Sequence, residues 1–192
     1  MTTLVASPET LVGSELDALA PGTWTIDPSH SVVGFTVRHL MVSKVRGRFG
    51  QFSGTLEIGA DRLASSVEAT IDTASIDTAD EKRDAHLRSA DFFDVEAFPT
   101  MRFRSRGLRE QGDTRILLGD LTIKDITRPV ELKLELEGVA GDPWGGTRAG
   151  FTAETVINRR DFGLDWNVAL DTGGVLVGEQ VTIGMDIQAV KA

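Results

Sequence analysis

The chain has no cysteine, which excludes disulfides, thiolate metal sites and a cysteine nucleophile. Positive charge is also scarce. Twenty lysines and arginines face 29 aspartates and glutamates, a net charge of −9. General nucleic-acid binding needs a basic footprint that displaces counterions from phosphate, so that function class is excluded as well. No apolar run reaches the ~18 residues of a membrane-spanning helix. The opening Met-Thr-Thr-Leu-Val-Ala-Ser-Pro lacks the basic start and apolar core of a signal peptide, which points to the cytoplasm. There is no Gly-x-Ser-x-Gly elbow, no phosphate-cradling Gly-x-x-x-x-Gly-Lys loop and no EF-hand pattern. The three histidines, His30, His39 and His86, do not have the spacing of a helix-borne ligand pair.

What is present is ordinary for one globular domain: 192 residues, 41% hydrophobic and 26% charged. Residues 1–20 read as an N-terminal tail, mobile or loosely docked, with a short helix suggested at 14–19. From Pro21 onward the two-residue rhythm of β-strands takes over. Val33, Phe35 and Val37 share a face, as do Phe52, Leu56 and Ile58. Met101 and Phe103 alternate with Arg102, Arg104 and Arg106. Val130, Leu132, Leu134 and Leu136 alternate with Glu131, Lys133, Glu135 and Glu137. One face of that strand is dry and the other wet, as in an antiparallel sheet. Phe151, Ala153, Thr155 and Ile157 form another inward set, and Val181, Ile183, Met185 and Ile187 the last.

About eight strands joined mostly by short turns predict an all-β fold, either a sandwich or a barrel. Closure removes exposed edges and favours the barrel. Eight strands enclose a bore that side chains can fill or that holds one slender ligand.

One segment breaks the rhythm. Thr78, with Glu81 three residues on, reads as a capping box that opens a helix over about 78–93. The helix ends in Phe92-Phe93 and is followed by Pro99. A short helix ending in aromatics inside a β chain suits a lid or plug. A second aromatic segment, Asp161-Phe-Gly-Leu-Asp-Trp166, lies in the long loop from Arg159 to Val177. It is apolar where a solvated loop would be polar. Arg159-Arg160 at its start reads as a loop-ordering pair with Asp161 or Asp165, or as a partner for an anionic head group. The Arg102, Arg104, Arg106 and Arg109 series reads as a solvated face balanced by acids. Contact with anionic lipid is the alternative.

Several pieces together carry a resemblance: Trp24-Thr-Ile-Asp27-Pro-Ser-His30-Ser31, Phe35-Thr-Val-Arg38-His39, Val45-Arg-Gly47-Arg-Phe49, Arg83-Asp84-Ala-His86-Leu87-Arg-Ser-Ala-Asp91-Phe92-Phe93-Asp94, Phe98-Pro99, Gly119-Asp-Leu121-Thr-Ile123, Arg160-Asp161-Phe162-Gly163 and Val177-Gly-Glu-Gln-Val181. In this order, over about 22–190, the chain resembles the YceI-like proteins, bacterial lipid- or polyisoprenoid-binding β-barrels. The resemblance implies an extended lipocalin-like barrel of eight antiparallel strands with a helix near one end. It also implies a long cavity for a polyisoprenoid, quinone tail or fatty-acid-like chain, a homodimer, and neither catalytic residues nor a cofactor.

The expected lining, chosen by strand phase, is Phe35, Val37, Phe52, Leu56, Met101, Phe103, Leu134, Phe151, Ile157 and Met185. Leu87, Phe92, Phe93, Phe162 and Trp166 are expected to gate the mouth. Arg38, His39, His86 and Arg160 are secondary candidates for a polar head. Two other functions stay open at this point: a metal-dependent enzyme using His30, His39 and His86, and a packed barrel acting as a stress or interaction module without lipid.

Overall fold

The computed structural model describes residues 18–112, 114–171 and 173–192. Its strands are β1 (Gly22–Ile26), β2 (Val32–His39), β3 (Ser43–Phe49), β4 (Phe52–Ile58), β5 (Ser66–Asp72), β6 (Ile76–Asp77), β7 (Thr100–Gln111), β8 (Thr114–Ile123), β9 (Ile126–Gly141), β10 (Thr147–Asn158) and β11 (Val177–Lys191); helix α1 is Glu81–Arg88. All pairings are antiparallel. The first six strands are halves of three bent staves. β1 and β2 pair successive stretches of β11, β4 and β3 pair β1 and β2, and β5 and β6 pair β4 and β3. Three bent staves and the five long strands β7 to β11 make an eight-stranded antiparallel barrel, closed where β11 meets β1 and β2. That is the all-β, lipocalin-like architecture expected from the alternation.

The bends have local causes. Pro28 has no N–H to give a ladder, and Asp27 caps the short 3-10 turn Pro28–His30 by accepting from the Ser29 N–H. Asp72 does the same for the turn Thr73–Ser75 through the Ala74 N–H. Between them the chain bends at Gly50, whose N–H donates to the Ser75 carbonyl. The three bends lie side by side across the staves, so the wall folds along a line. Among the described residues no helix is long and apolar enough to cross a membrane.

The bore is flanked by two apolar clusters. At the lower end Leu19, Trp24, Ile58, Phe151 and Ala189 belong to one. At the upper end Phe49, Phe92, Ile123, Phe162 and Leu164 belong to the other. Leu19 is buried, and the Trp24 indole N–H donates to the Ala20 carbonyl at 3.0 Å. The packed structure therefore starts ahead of residue 21, while the rest of the expected tail, with most of its suggested helix, lies outside the described residues.

The third stave stops at Asp77, and residues 78–99 fold over the upper end. Here the expected cap is corrected. Asp80, not Thr78, is the N-cap, accepting from the Lys82 and Arg83 N–H groups, and the helix covers only Glu81–Arg88. Ala79 has φ 59°, which ends any helical run between Thr78 and Asp80. Thr78 instead faces Asp84, a buried carboxylate that accepts from its N–H at 2.9 Å and its hydroxyl at 2.5 Å. Arg83 donates to the Thr78 hydroxyl oxygen and carbonyl. Arg88 ties the helix to the wall by donating to the carbonyls of Ala74 and Ile76. Glu81, left without its capping role, is exposed.

Candidate ligand-binding cavity

Between the two clusters runs a cavity of about 260 Å³. Voids in a packed interior are normally no larger than a water molecule, so this space is part of the architecture. Its wall is apolar from Leu19 and Ile58 at the lower end to Leu87, Phe92, Phe93 and Leu164 at the upper; among the described residues only Arg62, Ser65, Thr155 and Arg159 bring polar side chains to it.

The structure places all ten strand-phase residues on this wall. The reason is the pleat: successive side chains alternate between the faces of a sheet, so one correct inward residue fixes the rest of its strand. Two glycines shape the bore. A Cβ on Gly47 would lie 2.4 Å from the Phe35 ring, and one on Gly119 would lie 2.4 Å from the Phe103 ring. Each phenylalanine is thus seated on a glycine and lies along the wall rather than across the lumen.

The upper closure is aromatic. Phe93 meets Phe49 edge-on at 5.8 Å, and Phe92 sits 5.4 Å from Trp166. Leu87, Phe92 and Phe93 reach the lumen. Phe162 and Trp166, expected beside them at the mouth, do not. Phe162 is fully buried beneath the 3-10 turn Arg159–Phe162, and Trp166 backs Phe92 and His86.

None of the four residues expected at a polar head reaches the cavity wall. Arg38 is exposed on the outer face, and His39 is half-buried at the end of β2. The His86 ring bonds Asp91 at 2.8 Å and packs edge-on against Phe92 and Trp166. Arg160 is held by Glu179 at 3.1 Å and Asp165 at 3.4 Å, so its reading as a loop-ordering residue fits. Three of the four arginines of β7 are likewise balanced: Arg104 by Glu68, Arg106 by Asp120 and Arg109 by Glu131.

The cation that does line the upper lumen is Arg159. It is 4% exposed and donates to the carbonyls of Gly178, Leu164 and Val177. Burial pushes its pKa down, with Glu179 acting in the opposite sense. A signal for it existed, because Arg159 continues the alternation Phe151, Ala153, Thr155, Ile157 by one step. The Arg159-Arg160 pair reads as loop-ordering or as a head-group partner, and the choice of Arg160 sets aside the phase of β10, which favours Arg159. Arg115 is buried in phase with Leu117 and Leu121, a phase that the unbroken apolar trio Ile116-Leu117-Leu118 conceals. Arg62, in the 3-10 turn Arg62–Ala64 at the lower end, had no such signal.

The histidines do not converge with other donors. His30 bonds Asp27 at 2.9 Å in the β1–β2 bend. Asp27 also accepts from the Ser29 hydroxyl at 2.6 Å and from Arg148 at 2.8 Å. The Ser29 bond first, then Arg148 and His30, hold its carboxyl far below the usual range. This is a latch joining the bend to β10. Among the described residues no three His, Cys, Asp or Glu side chains are grouped as a metal ion would require.

Comparison with known proteins agrees with this architecture. The family model described as YceI-like domain matches residues 24–189. Protein YceI of Escherichia coli O157:H7 is 38% identical over 163 residues, 84% of this chain and 82% of its own. The crystal structure of a Campylobacter jejuni YceI protein superposes with a TM-score of 0.69 at 25% identity, covering 81% of this chain and 90% of that one. A polyisoprenoid-binding domain from Saccharophagus degradans shares the fold, with a TM-score of 0.67 at 12% identity over 88% of this chain and 98% of its own. By sequence and by architecture, the chain belongs to the YceI-like domain family.

Proposed function

We propose that the protein is a non-enzymatic carrier or sequestering protein for a long-chain isoprenoid or similar amphiphile held in the barrel lumen. The observation that carries this reading is the continuous apolar wall around about 260 Å³. At ~24 cal/mol per Å³, leaving such a space unfilled would cost about 6 kcal/mol. That is a large share of the ~5–15 kcal/mol by which a domain is stable. Each methylene that enters instead contributes about 0.8 kcal/mol. A chain of several isoprene units therefore needs few polar contacts, and selection is by length and calibre. The polyisoprenoid-binding domain that shares the fold supports the same ligand class.

Arg159 is the candidate anchor for a head group. Three of its roughly five N–H donors go to backbone carbonyls, and the side chain borders the lumen. An acceptor at the end of an apolar chain, such as a quinone carbonyl, a carboxylate or a phosphate, suits it. A barrel packed solid with side chains is disfavoured by the cavity itself.

The test is native mass spectrometry of protein purified from cells, followed by uptake measurements after delipidation. A co-purifying lipid and uptake of prenyl diphosphates, quinones or fatty acids are expected. Protein that carries no lipid and takes up none of the three classes would end this reading.

A further inference from the structure

The β2–β3 hairpin lies at the upper end of the barrel, where Val37 and Val177 border the lumen. It is closed by a tight turn in which the Val42 N–H donates to the His39 carbonyl. The central residues are Leu40 at φ 52° and Met41 at φ 62°. Such turns favour Asn-Gly, because bulky side chains rarely adopt the left-handed region. The β8–β9 turn at the same end has the same backbone and fills it with Lys124 at φ 51° and Asp125 at φ 59°. The geometry therefore does not call for apolar residues, yet the hairpin shows Leu40, Met41 and Val42 to solvent, Val42 at 84% exposure. Val168, also exposed, is joined to this tip. The Leu40 N–H donates to the Leu176 carbonyl, and the Leu176 N–H to the Val168 carbonyl. The result is one protruding apolar platform.

Its surroundings are basic. In a chain of net charge −9, residues 28–56 contain no acid and hold Arg38, Lys44, Arg46 and Arg48. Arg48 pairs with Asp77. Arg38, Lys44 and Arg46 are exposed and make no ion pair among the described residues. Arg38 stands directly opposite Lys44 in the ladder, an arrangement that opposes sheet formation through like-charge repulsion. Glu179 and Asp165 are taken up by Arg160; Arg46 shares an outer-face pocket with Glu135, Glu154 and Asp186 but pairs with none of them; Asp171 is the one acid in the adjoining loop 167–176.

We propose that this hairpin docks the barrel on an anionic lipid bilayer. Leu40, Met41, Val42 and Val168 enter the acyl boundary, and Arg38, Lys44 and Arg46 meet lipid phosphates. An apolar edge ringed by cations is the chemistry of an interfacial anchor. Acids also stand at this end, with Asp80, Glu81, Asp91, Asp94 and Glu96 in the segment that folds over it, so the attraction is local to the hairpin and weakens with salt. A second copy is a poorer occupant, because a symmetric contact would set Arg38 and Lys44 against their own counterparts. Docking here turns the upper end of the cavity towards the membrane, but the inference does not rest on what the cavity holds.

The test uses the full chain and co-sedimentation with vesicles of phosphatidylcholine alone or with about 30% phosphatidylglycerol. Binding is expected only with the anionic vesicles and should weaken as salt rises. The double variant Met41→Asp/Val42→Asp should lose roughly tenfold or more, and Lys44→Glu severalfold. Trp144→Ser, at an exposed site on the opposite end, should bind unchanged. Circular dichroism checks folding. If the double variant is unfolded, Val42→Trp decides, its fluorescence shifting to the blue on anionic vesicles only. Absence of binding by the wild type, equal binding by the tip variants, or a dimer without vesicles that the tip variants dissociate would each overturn the proposal.

Discussion

The two ends of the barrel are closed by different physics. The lower end is closed by strand side chains, with Leu19 and the turn Arg62–Ala64 beside them. Trp24 is fully buried, and its strand is hydrogen-bonded on both sides, to β4 and β11. The upper end is closed by an added segment. Helix α1 pairs with no strand. It is held by the guanidiniums of Arg83 and Arg88, the Asp84 carboxylate and the aromatic contacts of Phe92 and Phe93. Opening the lower end means breaking ladders shared by the whole barrel. Opening the upper end means releasing a few side-chain bonds, which is the kind of local excursion a folded domain can make. The difference teaches that the two ends of one cavity are closed with unequal strength.

The largest expected effect attacks the lower end. Trp24→Ala should cost about 3–5 kcal/mol through lost transfer energy and a new cavity, read as a lower midpoint in denaturant unfolding. Lipid exchange from the protein that remains folded should be little altered. If instead exchange speeds up while stability holds, the assignment of ends is reversed.

Asp84→Ala is the matching blow to the upper end. It leaves the buried Thr78 N–H without its acceptor, for about 1–3 kcal/mol. Here the sharper readout is kinetic: release of a fluorescent fatty acid should accelerate by more than the stability loss alone accounts for. Equal exchange rates in Asp84→Ala and Trp24→Ala would erase the distinction.

The smallest effect concerns the Asp27 latch. Its carboxyl titrates far lower when folded than when unfolded. The stability it contributes is therefore complete above the unfolded value of about 3.9 and is lost as pH falls from there towards the folded value. Asp27→Asn should flatten the acid limb of the stability profile and leave the neutral range with a modest deficit. A variant whose acid limb matches the wild type would show that the latch does not act through charge.

Much of this was legible in the chain. Val130, Leu132, Leu134 and Leu136 marked an inward face because a pleat leaves no choice of side once one residue is placed. Pro28, which has no N–H for a ladder, and Gly50 stand at two of the bends. The upper closure was less legible. Thr78 and Glu81 have the spacing of a cap, but the competing acceptor Asp84 and the left-handed Ala79 lie outside that pattern. Arg159 was obscured because a cation is presumed to seek water, whereas three backbone carbonyls supply its hydration shell. The Leu40-Met41 turn gave no signal at all, since sequence rules look for glycine or asparagine there.

The seats under Phe35 and Phe103 carry a consequence for how such a protein can change. Bore width at those levels is governed by two hydrogens standing where other residues have a methyl. Adding one carbon at Gly47 would press on the Phe35 ring and on the Thr78 methyl 2.8 Å away, whereas at Gly119 it would also meet the Arg104 carbonyl of β7 at 2.8 Å. At the level of Phe35 bore width therefore turns on side chains alone, while at the level of Phe103 it is tied to the backbone of the neighbouring strand.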